Sequence, residues 1–116
     1  MLDRRVRKLI LIAVVAAFAA VPTVSALASS PPRNVTVGNN FFSNKNMTVN
    51  RGTKVTWVWH SFGLAHNVTV KSGPAKFHSR RLQANGSFSH VFTKKGTYHL
   101  ICTLHPTQMK ETIVVR

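Results

Sequence analysis

Apolar and polar positions alternate with period two along most of the chain after residue 33. Asn34-Val35-Thr36-Val37-Gly38 alternates and is β-branched, which predicts a first strand. Asn39-Asn40 turns the chain, and Phe41-Phe42 brings aromatic bulk to a core. Met47-Thr48-Val49 alternates again before the turn Asn50-Arg51-Gly52. Thr53-Lys54-Val55-Thr56-Trp57-Val58-Trp59 is the strongest strand signal, with Val55, Trp57 and Trp59 on one face.

Ser61 to Ala65 reads as a loop that delivers His66, and Asn67-Val68-Thr69-Val70 returns as a strand. Lys71 to Ala84 has weak periodicity and much Ser, Gly, Pro and basic content. It is expected to be the long connection, with a short edge strand near Phe77-His78-Ser79. Ser87 to Phe92, Thr97 to Cys102 and Lys110 to Val115 complete the set. Seven or eight short strands, with no helical pattern after the first 28 residues, predict an all-β fold, an antiparallel β-sandwich.

The first residues follow another rule. Arg4, Arg5, Arg7 and Lys8 precede an apolar run from Leu9 to Val21, and Ala26-Leu27-Ala28 has the small-x-small form of a cleavage site. Residues 1–28 therefore read as a secretory signal peptide, residues 29–33 as a flexible leader and residues 34–116 as one domain. The rival reading is an uncleaved anchor. Against it, the apolar run falls short of the roughly 20 residues of a membrane span and Pro22 follows it at once. The chain is expected to be exported, to a periplasmic or extracellular space.

Export changes the meaning of the single cysteine, Cys102. It has no partner for an internal disulfide, and a lone thiol in an oxidising compartment needs burial or ligation. Charge narrows the partners. The sequence has 16 Lys and Arg against two acids, Asp3 and Glu111. After residue 28 only Glu111 remains, so acid–base catalysis by carboxylates is nearly excluded. Such a balance calls for an anionic partner: an acidic redox protein or a membrane surface. The basic residues are scattered and no nucleic-acid-binding motif accompanies them, so nucleic acid is not expected.

The candidate chemistry lies in Cys102-Thr-Leu-His105-Pro-Thr-Gln-Met109, with His66 upstream. A thiolate, two imidazoles and a thioether form the donor set of a blue-copper electron-transfer site. Cu(I) favours soft sulfur and Cu(II) favours imidazole, so this set serves both oxidation states. The spacing Cys-x2-His-x3-Met is too short for a strand between ligands, so one tight loop must carry all three. Pro106 suits that loop by fixing φ and giving up a backbone donor. Alternation places Tyr98, Leu100 and Cys102 on one inward face and His99 on the solvent face. Asn67 is placed to bond across to the Cys102 loop and tie the two ligand segments together. His60 and His90 are the substitutes should the ligand set differ, with His90 expected half-buried near the site.

Val55-Thr-Trp, Ala65-His66-Asn67-Val68, Gly96-Thr-Tyr98 and Cys102-x2-His105-Pro106 followed by Met109 resemble the cupredoxins of the plastocyanin, pseudoazurin and amicyanin group. The resemblance runs from about Val35 to Val115. It implies a Greek-key β-sandwich in which His66, Cys102, His105 and Met109 bind one type 1 copper ion. It further implies that His105 is the electron port within an apolar patch of Leu64, Leu104 and Pro106. Two features depart from the group. Three residues separate His105 from Met109 where relatives have two or four, and Glu111 stands where glycine is frequent.

The function expected is a monomeric one-electron carrier, not an enzyme, docking transiently with a redox donor and acceptor that present acidic surfaces. Copper delivery without redox turnover is the first alternative, and it would favour Met-rich or His-rich tracts that the chain lacks. A metal-free immunoglobulin-like interaction module is the second.

Overall fold

A computed structural model describes residues 30–116 of the chain. The expected signal peptide and the first residue of the leader lie outside the described residues. Eight strands form: β1 (Arg33–Gly38), β2 (Phe41–Phe42), β3 (Asn46–Val49), β4 (Lys54–Trp59), β5 (Thr69–Ser72), β6 (Gly86–Val91), β7 (Gly96–Ile101) and β8 (Lys110–Val115). They build two four-stranded sheets, ordered β2-β1-β4-β6 and β3-β8-β7-β5. The two inner faces close on one core, as the sandwich reading requires.

The alternation read from sequence is the alternation of burial. In β4, Val55, Trp57 and Trp59 are buried while the residues between them reach the surface. In β7, Tyr98 and Leu100 point inward and His99 points out. Two neighbouring pairs, β1 with β4 and β3 with β8, run parallel. The cause is connectivity: the chain leaves the first sheet after β2, contributes β3 to the second, and re-enters at β4. Periodicity within a strand carries no information about the direction of its neighbour.

Three local expectations are adjusted. Of Phe41 and Phe42 only Phe42 is in the core; Phe41 is exposed, because adjacent strand residues face opposite sides. The strand expected at 67–70 lies at Thr69–Ser72, since Asn67 uses its side chain to hold another loop. The edge strand expected near Phe77 appears as main-chain bridges, His66 with Leu82 and Thr69 with His78.

The sandwich has two unlike ends. One carries the β1–β2 turn, the loop before His66, the start of β6 and the 102–109 loop. Asn40 closes the β1–β2 turn with φ 66°, a conformation that Asn tolerates better than other side chains do. The other end carries the start of β1, the Asn50–Gly52 turn, the Thr93–Lys95 turn and Arg116. Arg51 N–H donates to Arg116 O at 2.9 Å and Gly52 N–H to Phe92 O at 2.7 Å.

Candidate metal centre

Cys102 follows the last residue of β7 and continues its inward face, fully buried behind Leu100. The chain then turns back on itself through main-chain bonds. His105 N–H donates to Cys102 O at 3.2 Å, Met109 N–H to His105 O at 2.9 Å, and Cys102 N–H to Met109 O at 3.1 Å. The three residues between His105 and Met109 thus form one helical turn that returns the chain beside Cys102. Met109 is buried at its end.

His66 arrives from the other side. Its N–H and O pair with the O and N–H of Leu82, both at 3.0 Å, and Trp59 Nε1 donates to its carbonyl at 3.3 Å. Those three bonds fix the backbone from which the imidazole projects. His66 Nδ1 lies 4.0 Å from Cys102 Sγ, and the His66 and His105 rings are 5.1 Å apart, centre to centre, tilted by 55°. His66, Cys102 and Met109 are fully buried, whereas His105 is half-buried at the rim.

The donor set fits a soft-to-borderline transition metal. Metal–imidazole and metal–thiolate bonds of about 2.0 and 2.3 Å sum to slightly more than the 4.0 Å between Nδ1 and Sγ, so one ion can reach both. Burial, and secondarily the neighbouring His105, lower the pKa of His66, which keeps its ring neutral and a lone pair available. His66 Nε2 is buried without a hydrogen-bond partner, while Nδ1 faces Cys102 Sγ.

A profile of the family described as copper binding proteins, plastocyanin/azurin family, matches residues 33–116. The chain belongs to the plastocyanin/azurin family of copper-binding proteins. Copper, one ion, is its cofactor. The chain is 33% identical over 119 residues to amicyanin-alpha of Methylorubrum extorquens, covering 94% of this chain and 98% of that one. An oxidized amicyanin variant superimposes with TM-score 0.65 at 26% identity, over 73% of this chain and 82% of that one. A purple cupredoxin from Nitrosopumilus maritimus superimposes with TM-score 0.63 at 26% identity, over 72% of this chain and 99% of that one. A copper-containing nitrite reductase from Thermus scotoductus reaches TM-score 0.67 at 32% identity, but the match spans only 26% of its length and 86% of this chain.

The surroundings of the cupredoxin site hold further detail. Asn67 links the His66 and Cys102 segments as anticipated: its N–H lies 3.5 Å from Cys102 Sγ, and its side chain bonds Thr103 twice. The substitute histidines lie in other surroundings than His66. His60 is exposed. His90 pairs with Val55, far along β4 from Trp59, and stacks on Phe77 at 3.8 Å. It is half-buried as expected but not near the candidate site, because β6 runs away from the Trp59 end of β4 as it reaches residue 90. Burial lowers its pKa as well.

Two contributors were not read from sequence. Trp59 lies on the inward face of β4, yet its indole also holds the His66 carbonyl; a buried Trp needs an acceptor, and that is the available signal. Phe62 is 86% exposed on the loop before His66, two residues from Leu64 at 42%, so that loop presents two large apolar side chains to the surface. Large exposed apolar residues are informative only once burial is known.

Proposed function

We propose that this protein is a small exported one-electron carrier whose copper is held by His66, Cys102, His105 and Met109. The observation that carries the reading is the contrast in burial within one cluster. His66 Nδ1 and Cys102 Sγ face each other, fully buried, at 4.0 Å, while the His105 ring beside them reaches the surface. Copper held there would supply one-electron chemistry between Cu(I) and Cu(II). The chain's own part is to keep the donors in one geometry, exclude water, and give electrons an exit through the His105 edge.

The near-complete overlap with amicyanin-alpha supports a carrier over an enzyme, as does the small fraction of the nitrite reductase that the chain matches. Among the described residues the single carboxylate side chain, Glu111, is buried, which leaves none at the surface for acid–base work. Arg80, Arg81 and Lys110, all exposed, stand on segments near the site and favour redox partners with acidic docking surfaces. The basic start and apolar run of residues 1–28 support export to a periplasmic or extracellular space.

A visible absorption spectrum after one equivalent of Cu(II) tests the reading. An intense thiolate-to-copper band is expected, bleached by a mild reductant, restored by an oxidant and absent in Cys102→Ser. A colourless protein that still binds Cu(I) would point instead to copper delivery.

A further inference from the structure

The main chain around His66 is held by three different segments in three consecutive residues. His66 N–H donates to Leu82 O at 3.0 Å, Asn67 N–H faces Cys102 Sγ at 3.5 Å, and Val68 N–H donates to Ser79 Oγ at 2.9 Å. The third bond answers an irregularity in the pairing. His66 bridges Leu82 and Thr69 bridges His78, so two residues, Asn67 and Val68, face three, Ser79, Arg80 and Arg81. Inside this bulge Ser79 N–H donates to Val68 O at 2.8 Å, but Val68 N–H returns to the Ser79 hydroxyl instead of its carbonyl. Val68 is fully buried, so water is no substitute for that acceptor, and an unpaired N–H there would be costly. Ser79 is buried as well, and its hydroxyl gives its own proton to Arg80 O at 2.9 Å, which leaves the oxygen free to accept.

We infer, on the copper site proposed above, that Ser79 is a positioning residue for the metal centre. Its hydroxyl holds the bulge that sets Leu82 opposite His66. It also fixes the peptide between Asn67 and Val68, next to the N–H that faces the Cys102 sulfur. Without the bulge the Thr69–His78 register would continue and place Arg81 opposite His66. Leu82, which packs against the core, would be displaced, and the backbone that carries the imidazole would turn with it. Thr103 holds the Asn67 side chain, and Ser79 holds the peptide that follows it. The chemical consequence lies at the sulfur. A hydrogen bond to a thiolate withdraws charge from it and favours the reduced metal, so the Asn67 N–H raises the reduction potential. Ser79 acts on that bond indirectly, through the main chain of Val68.

Amide exchange and voltammetry of three variants test it. In the metal-free protein the parent's Val68 amide should be protected, and Ser79→Ala should exchange it at least about tenfold faster. Ser79→Thr, which keeps the hydroxyl, should stay near the parent. Ser79→Val, of the same shape as Thr but without the hydroxyl, should follow Ser79→Ala. With copper bound, Ser79→Ala and Ser79→Val should show a lower reduction potential and a shifted thiolate-to-copper band, whereas Ser79→Thr should keep both. Should Ser79→Ala not fold, the comparison of Ser79→Thr with Ser79→Val decides. An unprotected Val68 amide in the parent would overturn the inference. So would a faster-exchanging variant that keeps the parent's potential and band, since Ser79 would then support the fold alone. A parent that binds copper without any such band would instead overturn the electron-carrier site itself, a failure that the metal-free exchange result keeps separate.

Discussion

Asn67 holds Thr103 at two points: its Oδ1 accepts from the Thr103 main-chain N–H at 3.0 Å, and its Nδ2 donates to Thr103 Oγ1 at 2.7 Å. Each residue adjoins a candidate ligand, His66 and Cys102, so the pair fixes the distance between segments that are 36 residues apart. Asn67→Ala should cost about 1–3 kcal/mol of stability, the sum of a few partly buried hydrogen bonds. Denaturant unfolding of the metal-free protein measures it. Broadened copper absorption in the same variant is expected, because the loop loses its lateral support.

Met109 separates packing from ligation. It is buried at the end of the helical turn that starts at His105. Met109→Leu conserves volume, so metal-free stability should change by less than about 1.5 kcal/mol. The reduction potential should rise, since a thioether donor to Cu(II) is lost. Voltammetry checks this, and an unchanged potential would mean that Met109 only packs.

Glu111 is buried in β8, with Oε1 accepting from Trp57 Nε1 at 2.8 Å and Oε2 without a partner. Burial raises its pKa from 4.5 to about 7, against the smaller opposing effect of the Trp57 bond. The folded state therefore holds its proton where the unfolded state releases it. Stability from this group is full below pH 4.5 and falls as pH rises towards 7, by about 3 kcal/mol in total. His66 and His90, whose pKa values are lowered, act in the opposite sense: stability falls as pH drops below 6.5. The Glu111 contribution must be read as a difference from Glu111→Gln. That variant should match the parent near pH 4 and gain relative stability by pH 8, in urea titrations of the metal-free protein.

Phe62 touches little of its own protein, being 86% exposed. Phe62→Ser should leave stability within about 0.5 kcal/mol. If the apolar rim docks a redox partner, the second-order rate of electron transfer should fall by about fivefold, as for loss of a modest anchor. Stopped-flow reduction at two ionic strengths separates this loss from electrostatic steering, which salt weakens in parent and variant alike.

Much of this protein was determined by sequence alone. Period-two alternation gave β1, β3, β4, β6, β7 and β8, with β5 displaced by two residues and β2 not read as a strand, and the inward faces of Val55, Trp57, Trp59, Tyr98, Leu100 and Cys102, because a strand's side-chain direction is a local property. Donor chemistry and the short Cys102–Met109 spacing gave the candidate centre, because a loop of that length confines its own residues. Tertiary structure decided the rest, since strand pairing and side-chain partners are set by distant segments. It made β1 and β4 parallel and carried His90 away from the candidate ligands. It also brought Trp57 and Glu111, 54 residues apart, into one bond. The same alternation that buries Ile113 and Val115 buries Glu111, but only the packed core shows which indole receives its carboxyl group, and why an acid can stand there at all.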